Sequence, residues 1–307
     1  MTAFIQRRLL LAIPTVFAVS AAVFLMLHLI PGDPASIYLG DNLATPERLE
    51  AIRHEMGLDR PIYIQYLDFV GRALQGDLGR SLQNGRPVAL ELSERLPRTA
   101  ELAAAAFIVS VVFGVSLGIL SALRHNTWVD TFGMLVALAG VSMPIFWLGL
   151  LAILVFSIQL SWFPVTGQHG IASLVLPAMV LGIVSSATLA RLVRSSMLEV
   201  LRHEYVTTAR AKGLRERVVV RRHAFKNALI PVVTVLGLEV GSLLSGAVIT
   251  ETVFARPGIG KLIVDSIQSK DFTVVQGGVL FVAVVYVVVN LAVDVSYGFL
   301  DPRIRVS

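Results

Sequence analysis

Six stretches of this chain run for twenty residues or more with almost no charge: Leu9–Ile30, Leu102–Leu123, Thr131–Leu160, Ile171–Ala190, Ala228–Ile249 and Gly277–Gly298. A helix needs about 20 apolar residues to cross the hydrocarbon core of a bilayer. No water inside that core answers the backbone N–H and C=O groups, so each stretch must fold as a helix that satisfies its own peptide groups. The pattern predicts an all-α polytopic membrane protein with six transmembrane helices. Thr131–Leu160 is longer than a crossing requires and is expected to tilt or bend at Pro144. Composition agrees, with 55% hydrophobic and 15% charged residues, where soluble domains carry about 25% charged. The absence of cysteine removes disulfide frameworks, zinc clusters, iron–sulfur centres and thiol nucleophiles together.

The net charge of +5 reads as basic loops on one side of a membrane rather than a nucleic-acid surface. Arg7 and Arg8 precede the first stretch, Arg124 follows the second, and Arg303 and Arg305 follow the last. Residues 191–228 hold ten Lys/Arg against Glu199, Glu204 and Glu216. Residues 31–98 carry eight Arg and ten acids, but a segment of that length translocates largely regardless of charge. Both termini and the basic loop are therefore expected in the cytoplasm, with residues 31–98 as an extracytoplasmic insertion between helices 1 and 2. The chain divides into 1–30 (N-terminus and first helix), 31–98, and a core of 99–307 that contains the loop 191–228. The first apolar stretch is too long for a typical signal-peptide core and lacks a clear small-residue cleavage site, so it is expected to be a retained anchor.

The exterior segment has its own organisation. Pro46–Met56 reads as a helix with Thr45 as N-cap and Gly57 as its stop, and Pro61–Leu74 is amphipathic and aromatic, with Tyr63, Tyr66 and Phe69. Several catalytic patterns fail on inspection. Gly114-Val-Ser-Leu-Gly118 has nucleophile-elbow spacing but lies inside a membrane stretch, where small residues serve close helix packing. His54-Glu55 and His203-Glu204 open a zinc-protease pattern, yet Leu58 and Thr207 stand where the second ligand belongs. Gly258-Ile-Gly260-Lys261 lacks the earlier Gly and the following Ser/Thr of a phosphate loop. An ATP-driven process would need another polypeptide to hydrolyse the nucleotide.

The informative cytoplasmic stretch runs from Glu204 to Gly213, including Tyr205, Thr207, Thr208, Ala209, Arg210, Ala211 and Lys212, and continues through Arg221-Arg-His and Asn227-Ala-Leu-Ile-Pro231. Its pattern is a short helix ended by Gly213, then a basic helix entering the fifth apolar stretch. It resembles the coupling loop of ABC importer permeases. Where those generally carry Glu-Ala-Ala, this chain has Thr207-Thr208-Ala209, and its Thr-Ala-Arg-Ala-Lys-Gly-Leu form is similar to the peptide branch. Pro31-Gly-Asp-Pro34, Gly57-Leu-Asp-Arg-Pro61, Gly76-Asp-Leu-Gly79-Arg-Ser81, Glu251-Thr-Val-Phe, Arg256-Pro-Gly-Ile-Gly260, Asn290-Leu-Ala-Val-Asp294 and Asp301-Pro-Arg303 extend the likeness along nearly the whole chain. In order, these stretches resemble the B-type permease subunit of dipeptide/oligopeptide ABC importers.

That resemblance implies a type I importer permease fold in the bacterial inner membrane, with no catalysis and no cofactor in this chain. It implies a second C-type permease, two cytoplasmic subunits that bind ATP and Mg, and an extracytoplasmic substrate-binding protein, with lipid around the helices and no nucleic acid. Residues 205 and 207–213 would couple to the ATPases, the small Ala209 and Ala211 approaching a partner groove, Arg210 and Lys212 supplying positive charge, and Gly213 ending the helix at positive φ. Within the membrane, Glu239, Ser242, Gly246 and Thr250 share one face of the fifth stretch, opposite Gly237, Gly241 and Ser245. That polar face either lines a translocation path or lets Glu239 pair with a neighbouring helix. A proton- or sodium-coupled carrier using Glu239 is the competing function, and nickel, haem or glutathione are competing cargoes of the same permease role.

Overall fold

The computed structural model describes residues 2–29, 35–36, 45–55, 58–166 and 170–300. The motifs at 31–34, 57 and 301–303, the terminal Arg303 and Arg305, and the side chains of Arg7, His28 and Asp294 lie outside the described residues. In chain order the helices are α1 (Thr2–Leu29), α2 (Pro46–Glu55), α3 (Ile62–Leu74), α4 (Val88–Leu123), α5 (Trp128–Ser142), α6 (Ile145–Ala152, continued by a π turn Ile153–Gln159) and α7 (Ala172–Leu201). They continue with α8 (Glu204–Ala211), then Glu216–Val218 and a π turn Val219–Ala224 leading into α9 (Phe225–Val253), α10 (Ile259–Gln268) and α11 (Phe272–Leu300).

Among the described residues four helices are long and apolar enough to cross a membrane: Val88–Leu123, Ala172–Leu201, Glu216–Val253 and Phe272–Val293. The helices Trp128–Ser142 and Ile145–Gln159 are together apolar enough for a fifth span or a re-entrant loop, with a bend of 105° at their junction. Its cause is Pro144, whose ring disfavours the helical region for the residue before it; Met143 is extended at φ −88 and ψ 134. The bend expected at Pro144 is thus a full break. In α1 the apolar run covers Leu10–Leu25.

The chain forms two compact units. One comprises residues 98–256 with 292–301 and is organised around α7. Leu189, Val193 and Met197 of α7 pack with Ala122 of α4, with Ala224 of the π turn, and with Ala228 and Val232 in the first turns of α9. Backbone approach is set by absent side chains. A Cβ at Gly118 of α4 would lie 2.6 Å from Val193 Cβ, and one at Gly182 of α7 would lie 2.6 Å from the Ala106 carbonyl oxygen. The Gly114–Gly118 pair is therefore a packing stripe against α7. At one end of this unit Asp130 accepts both Arg194 Nε (2.6 Å) and Arg194 Nη2 (2.7 Å), with His125 Nδ1 at 3.2 Å, tying α5 to α7. Toward the other end Thr99 donates to the fully buried Glu251 at 2.6 Å, and Arg256 Nη2 to Glu101 at 2.5 Å.

The other unit holds residues 1–97, 257–291 and 302–307. Val88 and Leu92 of α4 bury against Ile259, Leu262 and Ile263 of α10 and Val274 of α11. Asp271 organises this unit. Its carboxylate accepts Ser81 Oγ (2.5 Å) and the N–H groups of Leu82 (3.2 Å) and Val274 (3.3 Å), so one buried side chain caps α11 and holds the Gly76–Ser81 loop. Gly79 is at φ 83 and its missing Cβ leaves room for Thr273, explaining the glycine on both counts.

Because α4 and α7 meet backbone to backbone, Gly182→Leu should cost about 1–3 kcal/mol or more by overpacking. Gly140→Ala, whose Cβ would rest 3.8 Å from Ala187 Cβ, should be near neutral. Thermal unfolding of the two variants in detergent checks this; equal melting would contradict the packing.

Candidate functional site

The loop 191–228, expected in the cytoplasm, holds a short helix fastened to the start of a long one. After α7, Arg202 stays helical and His203 turns extended (φ −69, ψ 145), which redirects the chain into α8. Glu204 opens α8, where a carboxylate complements the helix dipole. At the other end Gly213 has φ 78, as expected from the sequence. Its N–H donates to the Arg210 carbonyl at 2.9 Å and the Leu214 N–H to the Ala209 carbonyl at 3.4 Å, the double closure a left-handed glycine permits.

Three attachments hold α8 to the segment that becomes α9. Val206 and Ala209 bury against Val219 of the π turn, with Leu201 beside them. Arg210 grips Glu216 through Nη2 (2.7 Å) and Nε (3.1 Å). The carboxylate pushes the guanidinium pKa above its ordinary value, so titration does not release this cation at physiological pH. Asn227 Nδ2 donates to Tyr205 Oη at 2.9 Å and to the His223 carbonyl at 3.0 Å, joining α8 to the first turn of α9.

Two expectations change here. Ala209, assigned to a partner groove, is 5% exposed and packs inward on Val219. Arg210, assigned to acidic groups of a partner, is paired within the chain. What α8 offers outward is Tyr205, Thr207, Thr208, Ala211 and Lys212, followed by Gly213 and Leu214. Sequence reading missed Val206, Val219, Glu216 and the Tyr205 link of Asn227. The available signal was Val206 and Ala209 three residues apart in an otherwise polar helix, which marks one buried side.

The membrane set is brought together only in part. Glu239 is 8% exposed and accepts the Ser110 hydroxyl of α4 on Oε1, while Oε2 is buried with no hydrogen-bond partner among the described residues. Thr250 is buried and donates to the Gly246 carbonyl at 3.0 Å, and Gly246 lets the Leu181 side chain approach. Ser242 is exposed, its hydroxyl turned back to the Glu239 carbonyl at 2.9 Å. On the stripe expected to pack, Gly237 and Gly241 are buried but Ser245 is exposed beside Ser242, Leu238 and Ile249. The hundred-degree wheel placed these side chains correctly on α9, but it had no means of telling which side the rest of the chain covers. Asn290 Oδ1 on α11 is buried without a hydrogen-bond partner among the described residues.

Residues 114–306 match the family described as binding-protein-dependent transport system inner membrane component, and residues 1–103 match the N-terminal part of such a membrane component. Over 99% of each chain, the sequence is 45% identical to the di/tripeptide transport system permease protein DppB of Pseudomonas aeruginosa. It is 41% identical to the dipeptide transport system permease protein DppB of Alkalihalophilus pseudofirmus, and 42% to the glutathione transport system permease protein GsiC of Escherichia coli over 98% of both chains. The fold is similar to a solved amino acid ABC transporter with histidines, at TM-score 0.53 and 17% identity over 69% of this chain and 94% of that one.

The Ser110–Glu239 pairing makes a direct forecast. Glu239→Gln keeps an acceptor for Ser110, and interhelical hydrogen bonds in membranes average about 0.6 kcal/mol, so uptake should stay within roughly twofold of wild type. Loss of uptake in an assembled Glu239→Gln complex would place the carboxylate's charge on the cargo's route instead.

Proposed function

The chain belongs to the family of binding-protein-dependent transport system inner membrane components, and on that premise we propose that it is the B-type permease subunit of an ATP-driven importer carrying dipeptides and oligopeptides into the cytoplasm. The observation that carries the cargo assignment is full-length identity of 41–45% to permeases named for dipeptide and di/tripeptide transport. The glutathione permease among the relatives fits the same chemistry, since glutathione is itself a tripeptide.

In this reading a C-type permease completes the pathway, two cytoplasmic subunits bind and hydrolyse ATP with Mg, and an extracytoplasmic binding protein delivers the cargo. This chain performs no chemistry on it. Both termini and the loop 191–228 face the cytoplasm. Closure of the ATPase subunits presses on Thr207, Thr208 and Ala211 of α8, and its attachments at Val219, Glu216 and Asn227 hand that displacement to α9. Glu239, Gly246 and Thr250 fix the packing of α9 within this chain, and Ser242 remains open to the route. A proton- or sodium-coupled carrier built on Glu239 is disfavoured by the family and by the engagement of that carboxylate with Ser110.

Shape should matter more than charge at α8, because exposed ion pairs contribute at most about 1 kcal/mol. Ala211→Trp places bulk on the outward face, and Gly213→Val forces a branched side chain to positive φ at a cost of about 1–2 kcal/mol. Both should abolish peptide uptake or release the ATPase subunits, while Lys212→Gln should do little. Uptake and pull-down of the ATPases on the same variants decide it. Normal uptake by both bulky variants would refute the coupling role, and uptake of nickel or haem with no competition from peptides would refute the cargo.

A further inference from the structure

We propose that α3, in the segment expected outside the membrane, is an interfacial helix sunk into the outer leaflet, where one of its faces contacts phospholipid acyl chains. The first observation is depth. Tyr66 Oη of α3 shares a 2.9 Å hydrogen bond with Ser20 Oγ of α1 and reaches the Phe17 carbonyl oxygen at 3.4 Å. Phe69 packs with Phe24 of α1 and Leu280 of α11; the Phe24 ring lies 5.4 Å from that of Tyr66 and 6.1 Å from that of Phe69. Phe17, Ser20 and Phe24 all belong to the apolar run Leu10–Leu25 of α1, the first stretch expected to enter the membrane. At 1.5 Å per residue, Phe24 lies about 8 Å and Ser20 about 14 Å below the Leu29 end of α1. Leu280 likewise falls inside the last apolar stretch rather than before it. A helix resting on an extracytoplasmic surface would not reach these residues.

The second observation is the surface α3 leaves uncovered. Tyr63, Leu67 and Leu74 are 65%, 64% and 81% exposed. At 100° per residue they fall within about 40° of one another, on a side separate from the inward Tyr66, Phe69 and Ala73. The apolar arc is thus wider than α1 and α11 cover, and the neighbouring α1 also leaves apolar side chains uncovered, Phe17 and Leu25 being each 49% exposed. Charge is confined to a third side, and part of it is paired: Arg60 Nη1 donates to Asp68 at 2.9 Å. An apolar arc at this depth with one charged edge suits a helix lying at the headgroup–acyl boundary. A water-soluble partner would have to enter the leaflet to reach the same face.

The chain has no cysteine, so a nitroxide can be attached at one introduced site. Leu67→Cys and Leu74→Cys both replace exposed side chains and should assemble, and Glu47→Cys on the charged, exposed α2 gives an aqueous reference. The measurement is collision of the nitroxide with oxygen, which partitions into lipid, and with a water-soluble nickel chelate, using the assembled transporter in phospholipid nanodiscs. The oxygen-to-nickel ratio at 67 and 74 is expected to exceed that at 47 by about tenfold. Free access of nickel at 67 and 74 would put this face in water and overturn the proposal. Low access of both reagents would mean protein covers it, which overturns it equally. Neither result depends on the cargo or on coupling.

Discussion

A polar group inside hydrocarbon has no water to turn to, so each one in a spanning chain must be answered by the chain itself or by a partner. The structure meets that constraint in part, with a few long-range pairs, while Glu239 Oε2 and Asn290 Oδ1 have no hydrogen-bond partner among the described residues. Inside the apolar stretches Ser110 answers Glu239 between α4 and α9, and just beyond their ends Arg194 answers Asp130 between α7 and α5, and Thr99 answers Glu251. Outside the spans the buried Asp271 does the same for Ser81 while capping α11. Each pair joins segments far apart in sequence, so the costliest groups to bury also set which helices are neighbours. At Gly118 and Gly182 the missing side chain then lets α4 and α7 approach closely.

The same constraint explains what could be read from the sequence. Helix positions were legible because a spanning segment must be long, apolar and self-bonded, and Pro144 marks its break through local sterics that need no tertiary knowledge. Gly213 was legible for a similar reason, since a short helix that must end and turn favours a residue free to take positive φ. The orientation of side chains around those helices was not legible. Ala209 looked like a small contact for a partner because it is small, yet Val219 from the next element claims it. Glu239 and Ser242 looked equivalent because both are polar and near one face, yet Ser110 holds one in a buried position and the other is left exposed among the described residues. Arg210 looked like free charge until Glu216, six residues on, folded back to it. Faces are decided by neighbours, and the pattern within one helix does not contain them.

For the proposed transport role, the consequence would be a mechanical path that stays within one compact unit. α8 is not a pendant loop; an apolar contact, a two-pronged ion pair and a side-chain hydrogen bond attach it to the segment entering α9. The π turn Val219–Ala224 sits between them, holding α8 through Val219 and the core of α7 through Ala224. None of the three attachments is strong alone, but together they resist sliding, tilting and rotation of α8 against α9. Under the proposed coupling, a push on α8 would reach the helix that carries Glu239 and Ser242 instead of being absorbed by the loop.

The most direct test of that claim is the number of peptides imported per ATP hydrolysed by the reconstituted complex after the attachments are loosened together, with Val219→Ala, Glu216→Ala and Asn227→Ala in one chain. Each change leaves the outward face of α8 in place, so the ATPase subunits should still bind and hydrolyse ATP. The account predicts continued hydrolysis with the transport ratio reduced about tenfold, the scale expected when some 1.4 kcal/mol of coupling is lost. An unchanged ratio would contradict it, because force would then be reaching the membrane helices by a route that bypasses α8 and its fastening to α9.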